Sequence, residues 1–146
     1  MKRYYFIKEA INDILIKNNG LEHSANVANM AFLLAKLKNL DLELAAIIGI
    51  CHDLATYRFK SGFDHANRSS MLAREILTNS NLFNHDEIIL ITTAIKNHSF
   101  KDRIDDEYSE LIKDADLIVQ YLNEPNVSFS KEKQRRLNNI FKTFNK

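Results

Sequence analysis

The sequence predicts an all-α fold, in which a single domain (residues 1–146) forms a bundle of about six to seven helices. Only three glycines and one proline occur among the 146 residues, whereas strand-rich folds need frequent turn residues. Apolar side chains recur at helical spacing along most of the chain. The hydrophobic fraction of 45% is enough for one sizeable core and excludes a disordered chain.

The first three predicted helices are separated by Gly20 and by a short polar segment. Apolar side chains recur every three or four residues over about 3–18, and Gly20 then breaks the pattern. A second helix, over about 21–37, also carries one apolar face. The third, over about 41–56, is apolar all round between residues 44 and 51, which is typical of a helix buried on every side.

Turn residues and charged loops separate the remaining helices, which are predicted over about 64–77, 84–98, 107–122 and 130–144. Residues 57–63, which include Gly62, are predicted to form the loop before the first of these helices. Asn84 with Glu87 three residues later is a helix-start signature. Pro125 lies in the linker before the last helix, whose basic residues are predicted to form a solvated face.

Charge and cysteine content narrow the classes of function. The formal net charge is +1, so no strong field favours nucleic acid or a membrane as a partner. The one cysteine, Cys51, is predicted to be a buried small hydrophobe and fits a reducing compartment. The N-terminal segment contains acids too early for a signal sequence, and no apolar stretch reaches membrane-spanning length. We therefore expect a cytoplasmic location.

The dipeptide His52-Asp53 ends the apolar run of the third helix. Burying an imidazole and a carboxylate there costs several kcal/mol unless a partner satisfies both groups. Neutral histidine and ionised aspartate are both ligands for divalent metal ions. A metal site and a hydrogen-bonded pair in the core are both compatible with this dipeptide when it is considered alone.

Four histidines fall at the ends of predicted helices, and their positions favour the metal site. His23 begins the second helix, His52 ends the third, His65 begins the fourth and His98 ends the fifth. Short connections make neighbouring helices antiparallel, so all four imidazoles and Asp53 are expected at one end of the bundle. Four inward-facing histidines at one level are hard to explain as isolated core residues.

The remaining candidate residues are a fifth histidine and two late carboxylates. His85 stands beside the Asn84 cap and is predicted to be exposed. Asp114 and Asp116 both lie at the edges of the apolar stripe of the sixth helix, and periodicity alone does not choose between them.

Together these residues resemble the HD superfamily of metal-dependent phosphohydrolases. In that family a histidine is followed by His-Asp, by optional further histidines and by a late aspartate, and here the pattern reads His23, His52, Asp53, His65, His98 and Asp116. The last ligand of the family lies in a Lys-x-Ala-Asp type of segment, which selects Asp116 over Asp114. The resemblance covers about residues 20–122 and leaves the basic helix over about 130–144 outside it.

The resemblance implies an HD-type helical bundle and a ligand set for one or two divalent transition-metal ions (Mn, Fe, Co or Zn). His23, His52, Asp53 and Asp116 would hold the first ion. His65 and His98 would hold a second ion, with Asp53 bridging the two. The implied reaction is hydrolysis of a phosphoester or phosphoanhydride by a metal-activated water, on a small phosphorylated substrate of the nucleotide type.

The catalytic residues implied by this reaction are Asp53 and nearby cations that would neutralise the phosphate. Arg68, one turn from His65, and Lys113, one turn before Asp116, are the cations predicted to face the site. Two further cations in the loop after His98, namely Lys101 and Arg103, are close enough in sequence to reach over it. Solvated surface positions are the alternative for each of them.

Two other functions stay open at this stage. A di-iron oxygenase could use the same ligand set. The second is a regulatory protein that binds metal without catalysing a reaction. Thr56 favours it, because some HD nucleotidases carry a glutamate at this position. The sequence also leaves open whether the chain forms a homodimer.

Overall fold

The computed structural model describes residues 1–124 and 126–145, which form nine helices without a strand. The helices are α1 (Lys2–Ala10), α2 (Asn12–Lys17), α3 (Leu21–Lys38), α4 (Leu42–Cys51), α5 (Leu54–Phe59), α6 (His65–Ser80), α7 (His85–Asn97), α8 (Glu107–Asn123) and α9 (Lys131–Phe144). The predicted all-α bundle is confirmed. Pro125, which was predicted to lie in a linker, and Lys146 fall outside the described residues.

Nine helices replace the predicted six to seven because two of the predicted helices are split. The first is interrupted at Ile11, whose side chain nevertheless stays fully buried. The predicted helix over 41–56 ends at Cys51, and a turn at His52 and Asp53 separates it from α5. The predicted loop over 57–63 is therefore wrong at its start, because α5 continues to Phe59 and is capped by Lys60 in the left-handed conformation, with a φ of 54°.

Helix α4 is the centre of the bundle. All eight residues from 44 to 51 are buried, and α1, α3, α7 and α8 pack around them. Gly49 lies where α4 crosses α3, and a Cβ atom on it would meet the Cα atom of Ala28 at 2.5 Å. The absence of a side chain at Gly49 therefore permits the close approach of α3, which carries His23, and α4, which His52 directly follows.

The other helices extend this core on either side. Helix α6 packs on α5 and α7, and α8 packs on α3, α4 and α7. Helix α9 lies on α8, against which Leu137 and Ile140 are buried. The capping box predicted at the start of α7 is present, with the side chains of Asn84 and Glu87 bonded to each other's backbone amides. Within the described part of the chain, no helix has the length and apolar character required to cross a membrane.

We predict that Gly49→Ala destabilises the metal-free protein by about 1–3 kcal/mol, the usual cost of overpacking a core. The added methyl group would collide with backbone atoms of α3, which cannot move aside as a side-chain tip can. Urea unfolding followed by circular dichroism measures the change. Gly62→Ala is the matched control, because a Cβ atom there meets nothing within 4 Å; its effect should stay within about 0.5 kcal/mol. Equal stabilities of the two variants would contradict this account of the α3–α4 crossing.

Candidate metal centre

The structure brings together all six residues that the sequence singled out as metal ligands. His23 lies in the first turn of α3, His52 directly after α4, and His65 at the start of α6. His98 directly follows α7. The two carboxylates come from the turn after α4 and from the middle of α8, at Asp53 and Asp116.

The first group consists of His23, His52, Asp53 and Asp116, whose ligand atoms all lie within 4.8 Å of one another. The Nε2 atoms of His23 and His52 are 3.2 Å apart. Asp53 Oδ2 is 3.4 Å from His23 Nε2 and 3.1 Å from His52 Nε2. Asp116 Oδ1 is 3.4 Å from each of the same two nitrogens. Ligands about 2.0–2.2 Å from one ion have separations of this order, so the group can hold a metal ion.

The second group consists of Asp53, His65 and His98. Asp53 Oδ1 is 3.6 Å from His65 Nε2 and 3.2 Å from His98 Nε2. The carboxylate of Asp53 therefore directs one oxygen to each group. This arrangement allows the one side chain to bridge two ions, while His65, with 32% of its side chain exposed, lies at the open side.

The two buried imidazoles have a fixed orientation that leaves their Nε2 atoms as acceptors. His52 Nδ1 is 2.7 Å from the carbonyl oxygen of Gly49, and His98 Nδ1 is 2.6 Å from that of Ile95. A carbonyl only accepts, so each Nδ1 carries the hydrogen and donates it. The Nε2 lone pair of each neutral ring then points at Asp53, which is also an acceptor. Two acceptors at hydrogen-bond distance need a cation or an extra proton between them, so the donor set fits a metal ion.

Without a metal ion, protons on His23 and His52, but not on His98, supply the positive charge between the ligands. Hydrogen bonds with Asp116 and Asp53 raise the pKa of His23 to about 9. Burial lowers the pKa of His52, but the charge of Asp53 and hydrogen bonds with both carboxylates outweigh it and raise this pKa to about 10. Burial of His98 lowers its pKa below the ordinary value. Burial opposes the charged forms of Asp53 and Asp116 but the neighbouring cationic groups dominate, so both pKa values lie well below the usual range.

Two further side chains adjoin the cluster. The Nζ atom of Lys101 is 2.7 Å from Asp116 Oδ2, whereas the other oxygen, Oδ1, is the one near His23 and His52. This agrees with the expectation that Lys101 reaches the site from the loop after His98. The sequence pattern did not indicate that Tyr57 lies near the site, because residues 57–63 are predicted to form a loop. Burial, together with the charges of Asp53 and Asp116, raises the pKa of the Tyr57 phenol to about 12, so the phenol is neutral at neutral pH.

The structure places the other predicted cations away from the cluster. Lys113 is fully buried, and its Nζ atom donates to Asp105, Glu110 and the carbonyl of Arg103 at 2.8–2.9 Å. The prediction that Lys113 faces the site is therefore wrong, because these partners hold its ammonium group against the loop between α7 and α8. The guanidinium of Arg103 lies over the ring of Phe100, 4.1 Å from its centroid.

Arg68 is not brought to the ligands either. Its guanidinium lies over the ring of Phe59, 4.3 Å from the centroid, and donates to the carbonyl of Phe63 at 3.4 Å. Among residues 1–124 and 126–145, no ion pair joins Arg68 to either carboxylate of the cluster. The prediction that Arg68 faces the site is therefore wrong. Its guanidinium instead contacts the end of α5 and the segment between α5 and α6.

The remaining candidates occupy the places that the sequence indicated. His85 is exposed at the start of α7. Cys51 is buried, and burial raises the pKa of its thiol to about 12, as suits a small apolar residue. Asp114 turns away from the ligands and pairs with Arg136 at 3.0 Å and with Lys38 at 3.6 Å. Periodicity left open which of the two late aspartates lies in the cluster, and the structure shows that it is Asp116.

Comparison with known proteins agrees with this geometry. The family model described as HD domain matches residues 20–119, a segment that contains all six clustered residues. The chain belongs to the HD-domain family, whose members are typically metal-dependent phosphohydrolases. No curated protein and no solved structure matches the chain significantly.

We predict that Asp116→Ala weakens Mn²⁺ binding by more than the roughly 10- to 100-fold loss typical of an outer hydrogen-bond partner, since it removes a ligand oxygen. Asp114→Ala is the matched comparison, two residues away on the same helix, and should keep at least part of the affinity, because Asp114 is not a ligand but pairs with Arg136. Titration of the metal-free variants with Mn²⁺ in competition with a chelating dye measures both. The reverse order of the two affinities would contradict the assignment of Asp116.

We also predict that Mn²⁺ binding releases protons from the ligands. His23 and His52 hold protons in the metal-free protein up to about pH 9 and 10, and a metal ion must displace them. Mn²⁺ binding at pH 7.5 should therefore release about one to two protons, and its affinity should rise as the pH increases from 6 to 8. Calorimetric titration in buffers of different ionisation enthalpy counts the protons. Binding without proton release would show that the two rings are already neutral.

Proposed function

We propose that the protein is a metal-dependent phosphohydrolase that acts on a nucleotide or on a related small phosphoester or phosphoanhydride. The observation that carries the proposal is the position of Asp53, whose two carboxylate oxygens face two separate groups of imidazole nitrogens. A bridging carboxylate between nitrogen-rich ligand sets is suited to a pair of divalent ions, and such pairs are common in enzymes that cleave phosphoesters. The ligands are nitrogen and oxygen atoms without thiolate, which suits Mn, Fe, Co or Zn.

The chemistry that divalent ions supply when bound is polarisation of a phosphoryl oxygen and activation of water near neutral pH. The protein's own residues prepare the site for it. The Nδ1–H groups of His52 and His98 bond to backbone carbonyls and so hold the rings in place. Asp53 and Asp116 are ionised at neutral pH because their pKa values are depressed, and Lys101 fixes the orientation of Asp116.

A cavity of about 310 Å³ opens beside the second ligand group and supports a small substrate. His65 belongs both to the ligand group and to the cavity wall, which continues through Lys96, Ser99 and Phe100. Lys96 is exposed and has no ion-pair partner in the described part of the chain, so its ammonium group is free to bind a phosphate. Phe100, 43% exposed and with the Arg103 guanidinium over one face of its ring, gives the wall an aromatic and cationic surface against which a nucleobase can stack.

The test is hydrolysis of a panel of nucleoside mono-, di- and triphosphates, dinucleoside polyphosphates and cyclic nucleotides with added Mn²⁺. We expect phosphoester or phosphoanhydride hydrolysis that is lost with a chelator. His65→Ala should lower kcat at least about 100-fold, since a metal ion contributes several kcal/mol to stabilising the transition state. Lys96→Gln should mainly raise KM, roughly fivefold, because an accessible ion pair is worth about 1 kcal/mol.

Lys142→Gln is the control for Lys96, because Lys142 is exposed on α9 and does not line this cavity. Its kinetic constants should equal those of the wild type. Oxygen consumption by the iron-loaded protein, with no hydrolysis of the panel, would instead favour the di-iron oxygenase. Tight metal binding without turnover of either kind would favour the regulatory protein.

A further inference from the structure

Arg136 departs from the solvated face that was predicted for the basic helix α9. Its side chain is only 12% exposed, whereas its neighbour Arg135 is exposed, as predicted for a solvated face. The Nη1 atom donates to Glu110 Oε1 and Asp114 Oδ1, both at 3.0 Å, and so ties α9 to α8. Two carboxylate partners hold the planar guanidinium group in one orientation. This orientation determines where the other donors of Arg136, on Nε and Nη2, point.

Those remaining donors hold the loop between α7 and α8, residues 98–106. The carbonyl oxygen of Lys101 accepts from Nε at 3.4 Å and from Nη2 at 3.3 Å, and the carbonyl oxygen of Arg103 accepts from Nη2 at 3.2 Å. Lys113 bonds to the same loop from α8, through the Arg103 carbonyl and Asp105. The loop that follows His98 is thus fixed by two cationic side chains from two helices.

The loop in turn carries the side chain that reaches the ligands. The carbonyl of Lys101 is held by Arg136, while its ammonium group, on a side chain only 8% exposed, lies 2.7 Å from Asp116 Oδ2. The other oxygen, Oδ1, faces His23 and His52. A continuous series of contacts therefore leads from α9 through the backbone of Lys101 to a ligand of the first group.

We propose that Arg136 is a positioning residue, which holds the α7–α8 loop so that Lys101 orients the carboxylate of Asp116. Helix α9 lies beyond the segment matched by the family model, residues 20–119, so this support comes from a part of the chain that the family pattern does not describe. The inference rests on the proposed function only in taking the first ligand group to be a metal site; it does not depend on which substrate is hydrolysed.

The experiment measures Mn²⁺ affinity in wild-type protein, Arg136→Gln, Lys101→Met and the double variant. Arg136→Gln should weaken binding about 10- to 100-fold, the usual cost of losing an outer contact that orients a metal ligand. Lys101→Met should weaken it to a similar extent. Because Arg136 acts through Lys101, the double variant should bind no worse than Lys101→Met alone, whereas independent sites would add their effects.

Arg135→Gln is the matched control, because this adjacent arginine is exposed and donates no hydrogen bond within the described residues. It should bind Mn²⁺ like the wild type. Circular dichroism and thermal unfolding confirm the fold of each variant. If Arg136→Gln does not fold, Arg136→Lys takes its place in the cycle, because it keeps the charge near Glu110 and Asp114 but loses the planar fork that bonds both carbonyls.

Three results would overturn the proposal: equal affinities of the Arg136 and Arg135 variants, an Arg136 effect that persists in the Lys101→Met background, or tighter binding on removal of Lys101. The last would mean that Lys101 only repels the ion. The proposed function is decided separately, because a wild-type protein that binds Mn²⁺ but cleaves no phosphoester would overturn that function while the affinity cycle still decides the role of Arg136.

Discussion

The carboxylate of Asp53, surrounded by four imidazoles, is the interaction on which the rest of the structure depends. Asp53 lies in the turn that follows α4, next to His52, and from there its two oxygens face both ligand groups. The start of α5, directly after that turn, is anchored from α6, where the hydroxyl of Ser69 accepts from the backbone amide of Ala55 at 2.9 Å. The buried helix α4 thus supplies a rigid platform, and the close α3–α4 crossing at Gly49 brings His23 to it.

Cations form a second layer around this centre. Lys101 contacts Asp116 directly, and Arg136 and Lys113 fix the loop that carries Lys101. Glu110 links these two residues, because one of its oxygens accepts from Arg136 and the other from Lys113. Buried charges are tolerated when each is paired and hydrogen-bonded, and this network meets that condition. It also connects the C-terminal helix, outside the family pattern, with a ligand inside it.

The sequence, with the family resemblance to choose Asp116, predicted which six residues cluster, but of the four cations it named only Lys101 lies where it was expected, and the reason is physical. Histidines at helix ends have short side chains, so helical register and antiparallel packing nearly determine where their rings lie. Lysine and arginine have long side chains that can turn toward any nearby acid, so one turn of spacing did not reveal that Lys113 points to Asp105 and Glu110. Arg136 could not be found because its partners lie 22 or more residues away in sequence. Tyr57 was missed because the break at His52 and Asp53 was not anticipated, and α5 with it.

The measurement that tests the central claim most directly is a crystal structure of the Mn²⁺-loaded protein with anomalous data collected at the manganese edge. The account predicts two anomalous peaks, one among His23, His52, Asp53 and Asp116 and one beside His65 and His98, with a different oxygen of Asp53 bound to each ion. A single peak in the first group, with the rings of His65 and His98 free of metal at saturating Mn²⁺, would contradict the bridging role of Asp53.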